Sequence, residues 1–341
     1  MKLQLALILM FASTLSHAER AVPPAEVLVL TTGGTIASRR DAPMVDGPEL
    51  VQAVPELLEH ATIRVEEFSV VGSSKMTPAN WLALAKSVNA HFARNTELAG
   101  IVITHGTDTL EETAYFLNLT VKADRPVVIV GSMRSSDEVS ADGPGNLINA
   151  VRVAVSAEAA GQGVLVTLNE DIYSARDVWK TDNRRVHTFE ASIGGPVGSV
   201  DPDGVRFHAR SLHPHTTQSE FDIATVDQLP EVMILSDFTG IDPAVVERFA
   251  RQPMDGLVVR SFAGARTSAG MAQGLKAVAE LGLPTVVTSR VPRGRVVSPP
   301  TYPFPAIAAT EQQDNKARIL LMLALTRSSE VEEIRRIFSS Y

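Results

Sequence analysis

Cysteine is absent from the 341 residues, which excludes disulfides, thiolate-held metals and a cysteine nucleophile. Aromatic residues are scarce at 5%, with only two tryptophans. No stretch approaches the roughly 20 consecutive apolar residues that a membrane-spanning helix needs, so no membrane partner is expected. There is no basic stripe: 31 Lys and Arg against 39 Asp and Glu leave a formal charge of −8, which argues against nucleic acid as a partner. What is present, 45% hydrophobic and 21% charged residues, is the composition of an ordinary globular chain.

The N-terminus opens on Met1-Lys2, runs through apolar residues Leu3 to Ala12 and reaches Ser16-His17-Ala18 before Glu19. One positive charge, a short hydrophobic segment and small residues at −3 and −1 read as a secretory signal spanning 1–18, which implies export across the inner membrane to the periplasm.

Short β-branched runs at Val27–Leu30, Ile101–Thr104, Val127–Val130 and Val164–Leu168 alternate with helix-spaced apolar residues at Trp81–Phe92, Leu110–Leu119 and Leu147–Ser156. Such alternation predicts an α/β fold with mainly parallel sheets. Composition changes at residues 211–229, read as a linker in which His213-Pro214-His215 is solvated and not metal-coordinating. A second βαβ series follows, with strands at Val232–Leu235, Leu257–Val259 and Thr285–Thr288 around a helix at Ala269–Leu281, then helices at Asn315–Thr326 and Glu330–Phe338. The expected organisation is a larger N-terminal domain, 19–210, and a smaller C-terminal domain, 230–341.

Two loops carry the chemistry. Thr31-Thr32-Gly33-Gly34-Thr35-Ile36-Ala37 and Thr104-His105-Gly106-Thr107-Asp108-Thr109-Leu110-Glu111-Glu112-Thr113 each follow a predicted strand. Hydroxyls, a carboxylate and glycines thereby gather where an α/β sheet presents its ligand crevice. The glycines suit a tight turn, and Asp108 with Glu111, or Thr109 with Glu112, has capping-box spacing. Dinucleotide and P-loop glycine patterns are absent from both loops, as are the G-x-S-x-G, S-x-x-K and H-E-x-x-H signatures. Threonine hydroxyls remain as candidate nucleophiles, needing a base and an oxyanion site. Lys180, in Arg176-Asp177-Val178-Trp179-Lys180-Thr181, is a candidate base; its bland alternative is a solvated surface lysine.

Both loops resemble the two signature motifs of the bacterial L-asparaginase and glutaminase-asparaginase family, its exported type II branch in particular. The similarity continues through Val130-Gly131-Ser132-Met133-Arg134, Arg176-Asp177-Val178 and Lys316-Ala317-Arg318, and it spans nearly the whole mature chain. The resemblance implies hydrolysis of a small-molecule amide without metal or cofactor, in a homo-oligomer, dimer or tetramer. It puts Thr35 on the nucleophilic threonine, and Thr107, Asp108 and Lys180 on a proton relay. Ser73 falls on the serine that holds the substrate carboxylate, Asp108 also on the group that takes the amine, and Ser132 near the leaving amide. Gly34, Ser74, Gly106 and Thr107 complete the expected substrate-binding set.

Four departures bear on the substrate. The lid segment after the first motif is short, with no tyrosine before Tyr115; Ser74 stands where the family usually has glutamine; Gly264 stands where a partner subunit offers asparagine; and the loop from Arg293 to Pro305 lacks the usual acidic residue. An ammonium with one carboxylate neighbour in place of two is held less tightly, so relaxed recognition of the substrate amine is expected; Tyr302 or Arg266 are candidate replacement contacts, the alternative being a plain Pro-rich loop and a surface arginine. The competing reading is an exported asparaginase-like binding protein that has lost turnover.

Overall fold

The computed structural model describes residues 25–34, 47–297 and 306–341; the predicted export signal, Thr35 and Tyr302 lie outside the described residues. Strand β1 (Glu26–Thr31) is apolar on both faces, as a strand covered from both sides must be. It pairs in parallel with β2 (Thr62–Glu67) on one side and β3 (Leu98–Thr104) on the other. The parallel run continues from β3 to β4 (Val127–Val130) and β5 (Val164–Leu168). Strand β6 (Asp171–Ser174) turns back antiparallel on β5, and β7 (Val178–Lys180) with β8 (Phe189–Ala191) form a separate hairpin. Strands β9 (Gly198–Asp201) and β10 (Gly204–Phe207) complete an 8-stranded sheet ordered β10-β9-β6-β5-β4-β3-β1-β2.

The faces are divided by the strand pleat. Helix α1 (Gly47–Gln52) covers the face of Val27 and Val29, whereas α2 (Pro78–Arg94) and α3 (Leu110–Thr120) cover the face of Leu28 and Leu30. Helix α4 (Gly143–Val155) returns to the first face although β3, β4 and β5 are laid down in one direction. The β4–α4–β5 crossover therefore has the hand opposite to the three before it. Since parallel crossovers are right-handed in about 98% of cases, it is the left-handed exception.

A smaller parallel sheet, β11 (Val232–Ser236), β12 (Gly256–Ser261), β13 (Thr285–Ser289) and β14 (Ile307–Ala308), follows in sequence order. On it pack α5 (Pro243–Ala250), α6 (Ala269–Leu281), α7 (Asp314–Leu325) and α8 (Val331–Ser340). Local signals place their ends. Asp242 caps α5 through the Ala244 amide, Ser268 caps α6 through the Met271 amide, and Gly282, at φ 63°, ends α6 in the left-handed region. One apolar cluster runs from α2 and α3 through α7 and α8, so the two sheets share a core. Among the described residues no helix is long and apolar enough to cross a membrane.

The segment 211–229 is not a loose tether. It contains a turn of 3₁₀ helix at Thr216–Gln218 and buries His215, Ser219, Phe221 and Ile223. The Ser219 hydroxyl donates to the Leu119 carbonyl at 2.6 Å, Lys122 Nζ donates to the Ser219 carbonyl at 2.6 Å, and Phe221 meets Tyr341 at 5.1 Å between ring centroids. The reading of His213-Pro214-His215 as solvated is thereby corrected for His215. Docking of the segment on α3 buries its ring beside the Thr216 hydroxyl at 3.0 Å, and that burial lowers its pKa. Phe221→Ala should cost about 3 kcal/mol or more of stability, read as a lower thermal midpoint; Leu212→Ala, at a side chain 87% exposed, should change stability by less than about 0.5 kcal/mol.

Candidate active site

Helices on opposite faces follow β1 and β3, which are neighbours in the sheet. Between their carboxyl ends lies the switch point at which an open α/β sheet presents its crevice, and both threonine loops leave the sheet there. The first loop is laced to the second strand: the Thr32 amide and hydroxyl both donate to the Thr104 carbonyl, at 3.2 and 2.7 Å. Gly33 and Gly34 then both adopt φ 94°, a region that L side chains rarely enter. A Cβ on Gly34 would collide with the Gly106 amide nitrogen and Cα, and one on Gly106 would press on the Ser73 hydroxyl and Cβ. The two motifs thus meet backbone against backbone, with Ser73 closing the third side.

Beyond Gly106 the chain presents Thr107, whose side chain is buried. Lys180, at the end of β7, donates from Nζ to the Thr107 hydroxyl at 2.8 Å and to the Asp108 carboxylate at 3.2 Å. The solvated-lysine alternative fails, since only 17% of the Lys180 side chain is exposed, against 63% for Asp108. An ion pair with one member this open contributes about 1 kcal/mol or less; its effect is to orient the ammonium and the hydroxyl, not to hold the fold together.

Behind Thr107 lies a buried polar chain. His105 Nδ1–H donates to the Gly106 carbonyl at 2.7 Å, which leaves Nε2 to accept from the Thr113 hydroxyl at 2.9 Å, and Thr113 Oγ1 accepts from the Trp81 indole N–H at 3.0 Å. Each group has its partner, and burial pulls the imidazole down to about 4, so it stays neutral at ordinary pH. Glu111, on the first turn of α3, is raised to about 7 by burial, against the opposing charges of Lys316 and Lys180. Neither predicted capping box forms. Thr109 is the N-cap of α3 without a side-chain bond to the helix, because its hydroxyl donates instead to the Ser73 carbonyl at 2.8 Å, tying the two loops together.

Ser73 is buried, and its hydroxyl accepts from the Asp108 amide at 3.2 Å, while the neighbouring Ser74 is exposed. Ser132 is buried in the loop after β4, where its hydroxyl donates to the Arg134 carbonyl at 2.9 Å. That loop abuts the second motif through Gly131, on which a Cβ would lie 3.1 Å from the Thr107 methyl. Gly34, Ser73, Gly106, Thr107, Asp108 and Lys180 are therefore brought together, and Ser132 lies one residue from the contact. Gly264 and Arg266 belong to the turn after β12, in the smaller sheet. Trp81 and Thr113 contribute to the positioning chain without having been assigned a role from the sequence; Thr113 ends the second loop's motif, and the signal for Trp81 is a tryptophan on the apolar face of a helical pattern. Among the described residues no group of three or more His, Asp or Glu is placed to hold a metal ion.

Two α/β domains with paired hydroxyl loops at the switch point, and an ammonium bridging hydroxyl and carboxylate, define a class of hydrolytic protein that the comparisons narrow. Residues 26–213 match the asparaginase N-terminal family model, and residues 231–338 the glutaminase/asparaginase C-terminal domain. The chain is 38% identical over 339 residues to L-asparaginase 2 of Bacillus subtilis, covering 96% of this chain and 90% of that protein. It is 37% identical over 351 residues to the probable periplasmic L-asparaginase of Haemophilus influenzae, covering 99% of each. Among solved structures it superimposes on the probable cytoplasmic L-asparaginase of Campylobacter jejuni with a TM-score of 0.87 and 38% identity, over 93% of this chain and 100% of that one. The chain belongs to the asparaginase family.

The His105 chain generates a pH prediction. Its pKa is about 4 in the folded protein, against about 6.5 unfolded, so the unfolded state takes up the proton first on acidification. The stability is fully present above pH 6.5, and about 3 kcal/mol of it is lost as pH falls to 4. In chemical denaturation across that range, His105→Asn should remove this part of the pH dependence; equal slopes for variant and wild type would contradict it.

Proposed function

We propose that this chain is an amidohydrolase that cleaves the side-chain amide of L-asparagine to aspartate and ammonia through a threonine acyl-enzyme. The observation that carries the reading is the Lys180 ammonium bonded at once to the Thr107 hydroxyl and the Asp108 carboxylate. Family membership and the names of the relatives support the substrate class. Thr35 is the proposed nucleophile. It follows Gly34, the residue whose backbone abuts Gly106. Its hydroxyl oxygen attacks the amide carbon, the C–N bond breaks, and the departing nitrogen leaves as ammonia with the hydroxyl proton. Water then attacks the ester carbonyl and passes a proton into the Thr107, Lys180 and Asp108 cluster; the acyl C–O bond breaks, and that proton is delivered to the Thr35 oxygen, which leaves as the free hydroxyl.

In the same reading Ser73 holds the substrate carboxylate and Asp108, with its exposed carboxylate, takes the amine. Gly34, Ser74 and Gly106 line the binding set, and Ser132 stands near the leaving amide. The export signal at 1–18 makes the mature enzyme periplasmic, as the name of the Haemophilus relative supports; the Campylobacter neighbour is called cytoplasmic. Domain limits of 19–210 and 230–341, and a dimer or tetramer, belong to the same proposal.

Ammonia release from asparagine, glutamine and N-acylated asparagine tests it. Wild type should release ammonia from asparagine or a relative bearing a modified amine, and Thr35→Val, Thr107→Val and Lys180→Met should each lose about 10²- to 10⁴-fold in kcat. Equal single-turnover signals from wild type and Thr35→Val would favour the binding protein instead. Strong preference for unmodified asparagine at micromolar concentrations would defeat the relaxed-amine expectation.

A further inference from the structure

Lys316, in the Lys316-Ala317-Arg318 segment, is unused by the chemistry above, yet it is among the most deeply buried charges in the protein. It lies in the first turns of α7, on the C-terminal domain, with 4% of its surface exposed. A lysine buried to that degree is rare without compensating partners. Here the compensation is complete: Nζ donates to the carbonyls of Ala175 at 2.9 Å, Arg176 at 2.8 Å and Val178 at 2.5 Å. An ammonium has three donors, and all three are spent on one stretch of the other domain's backbone. Burial lowers the pKa of this ammonium to about 8, with Asp177 and Glu111 opposing the fall and Arg176 reinforcing it, so the charge persists at neutral pH.

That stretch is the approach to Lys180. Residues 175–178 lead into β7, and Lys180 is two residues beyond Val178, the last carbonyl gripped. A second cation secures the same turn: Arg176 donates to the Tyr341 carbonyl at 2.8 Å and pairs with Asp177 at 2.7 Å and Glu311 at 3.1 Å. Among the described residues β7 pairs on its other edge with the short β8 alone. It belongs to neither large sheet, so strand pairing alone does little to fix the height of Lys180 above Thr107.

We propose that Lys316 is a positioning residue for the candidate reaction: by clamping the 175–178 backbone from the C-terminal domain, it sets the placement of Lys180 against Thr107 and Asp108. The inference rests on the reading of Lys180 as part of the reacting cluster. It makes the site of the larger domain depend on α7 of the smaller one, through a group that never touches substrate.

The test compares Lys316→Gln and Lys316→Arg with Arg318→Leu, which removes a cation from the same helix bonded to the Val232 carbonyl, away from β7. Thermal melts, steady-state ammonia release and hydrogen exchange are measured on each full chain. Both Lys316 variants should lose kcat by about 10²-fold, the scale of a misplacement near 1 Å, with KM changed less than about threefold, and exchange at residues 178–180 should accelerate while that of β4 does not. Arg318→Leu should lose thermal stability but keep kcat. Should Lys316→Gln fail to fold, Lys316→Arg decides, since it keeps a charge and donors but cannot direct three bonds from one atom. Wild-type kcat or wild-type exchange in a folded Lys316 variant would overturn the proposal, as would an equal loss of kcat in Arg318→Leu. Lys180→Met separates the two readings. Full activity there removes the cluster's role and this inference with it, whereas an inactive Lys180→Met beside a fully active Lys316→Gln removes the clamp alone.

Discussion

Everything at the candidate site depends on a contact without side chains. Gly34 and Gly106 approach so closely that a single methyl group on Gly34 would occupy the Gly106 backbone. Only glycine can sit at that distance and, at Gly34, at that φ. The contact brings two segments more than 70 residues apart against one another at the ends of adjacent strands. A substitution there would not weaken an interaction by increments; it would separate the loops.

Around this contact the polar groups are placed by geometry more than by energy. The Lys180–Asp108 pair is too open to add much stability, while the neutral His105, Thr113 and Trp81 chain is fully satisfied and therefore rigid. The left-handed β4–α4–β5 crossover leaves the Gly131–Ser132 loop against the same motif. The second domain contributes through α7, whose apolar face shares the core with α3 and whose lysine reaches the β7 approach. Such a division suits a hydrolytic site, in which donors must be aimed before charge develops.

Much of the fold was legible in the sequence. The apolar runs at Val27–Leu30 and Ile101–Thr104 are β1 and the latter part of β3, and the helix-spaced patterns at Leu110–Leu119 and Ala269–Leu281 are α3 and α6, because buried strands and amphipathic helices imprint their period. Strand β2 was not read as a strand: it is an edge strand whose alternation, Thr62-Ile63-Arg64-Val65-Glu66, carries only two apolar residues, too few to stand out beside the buried runs. Strands β6 to β10 are too short for any period to emerge, and the crossover's hand has no local signature. At the site, Thr107, Asp108 and Lys180 were readable by resemblance. The Lys316 clamp was not, since a lysine in a helix reads as surface until the carbonyls facing it are known. Thr109 shows the converse failure, a capping pattern overridden when a tertiary partner, the Ser73 carbonyl, took the hydroxyl.

Mass spectrometry of protein quenched in acid during turnover of asparagine tests the convergence of the two loops most directly. If they form one site, an aspartyl ester should appear on the peptide containing Thr35 in wild type, and its turnover should slow in Thr107→Val. Ammonia release with no adduct on either threonine peptide, or an adduct at Thr35 whose lifetime ignores Thr107, would contradict it.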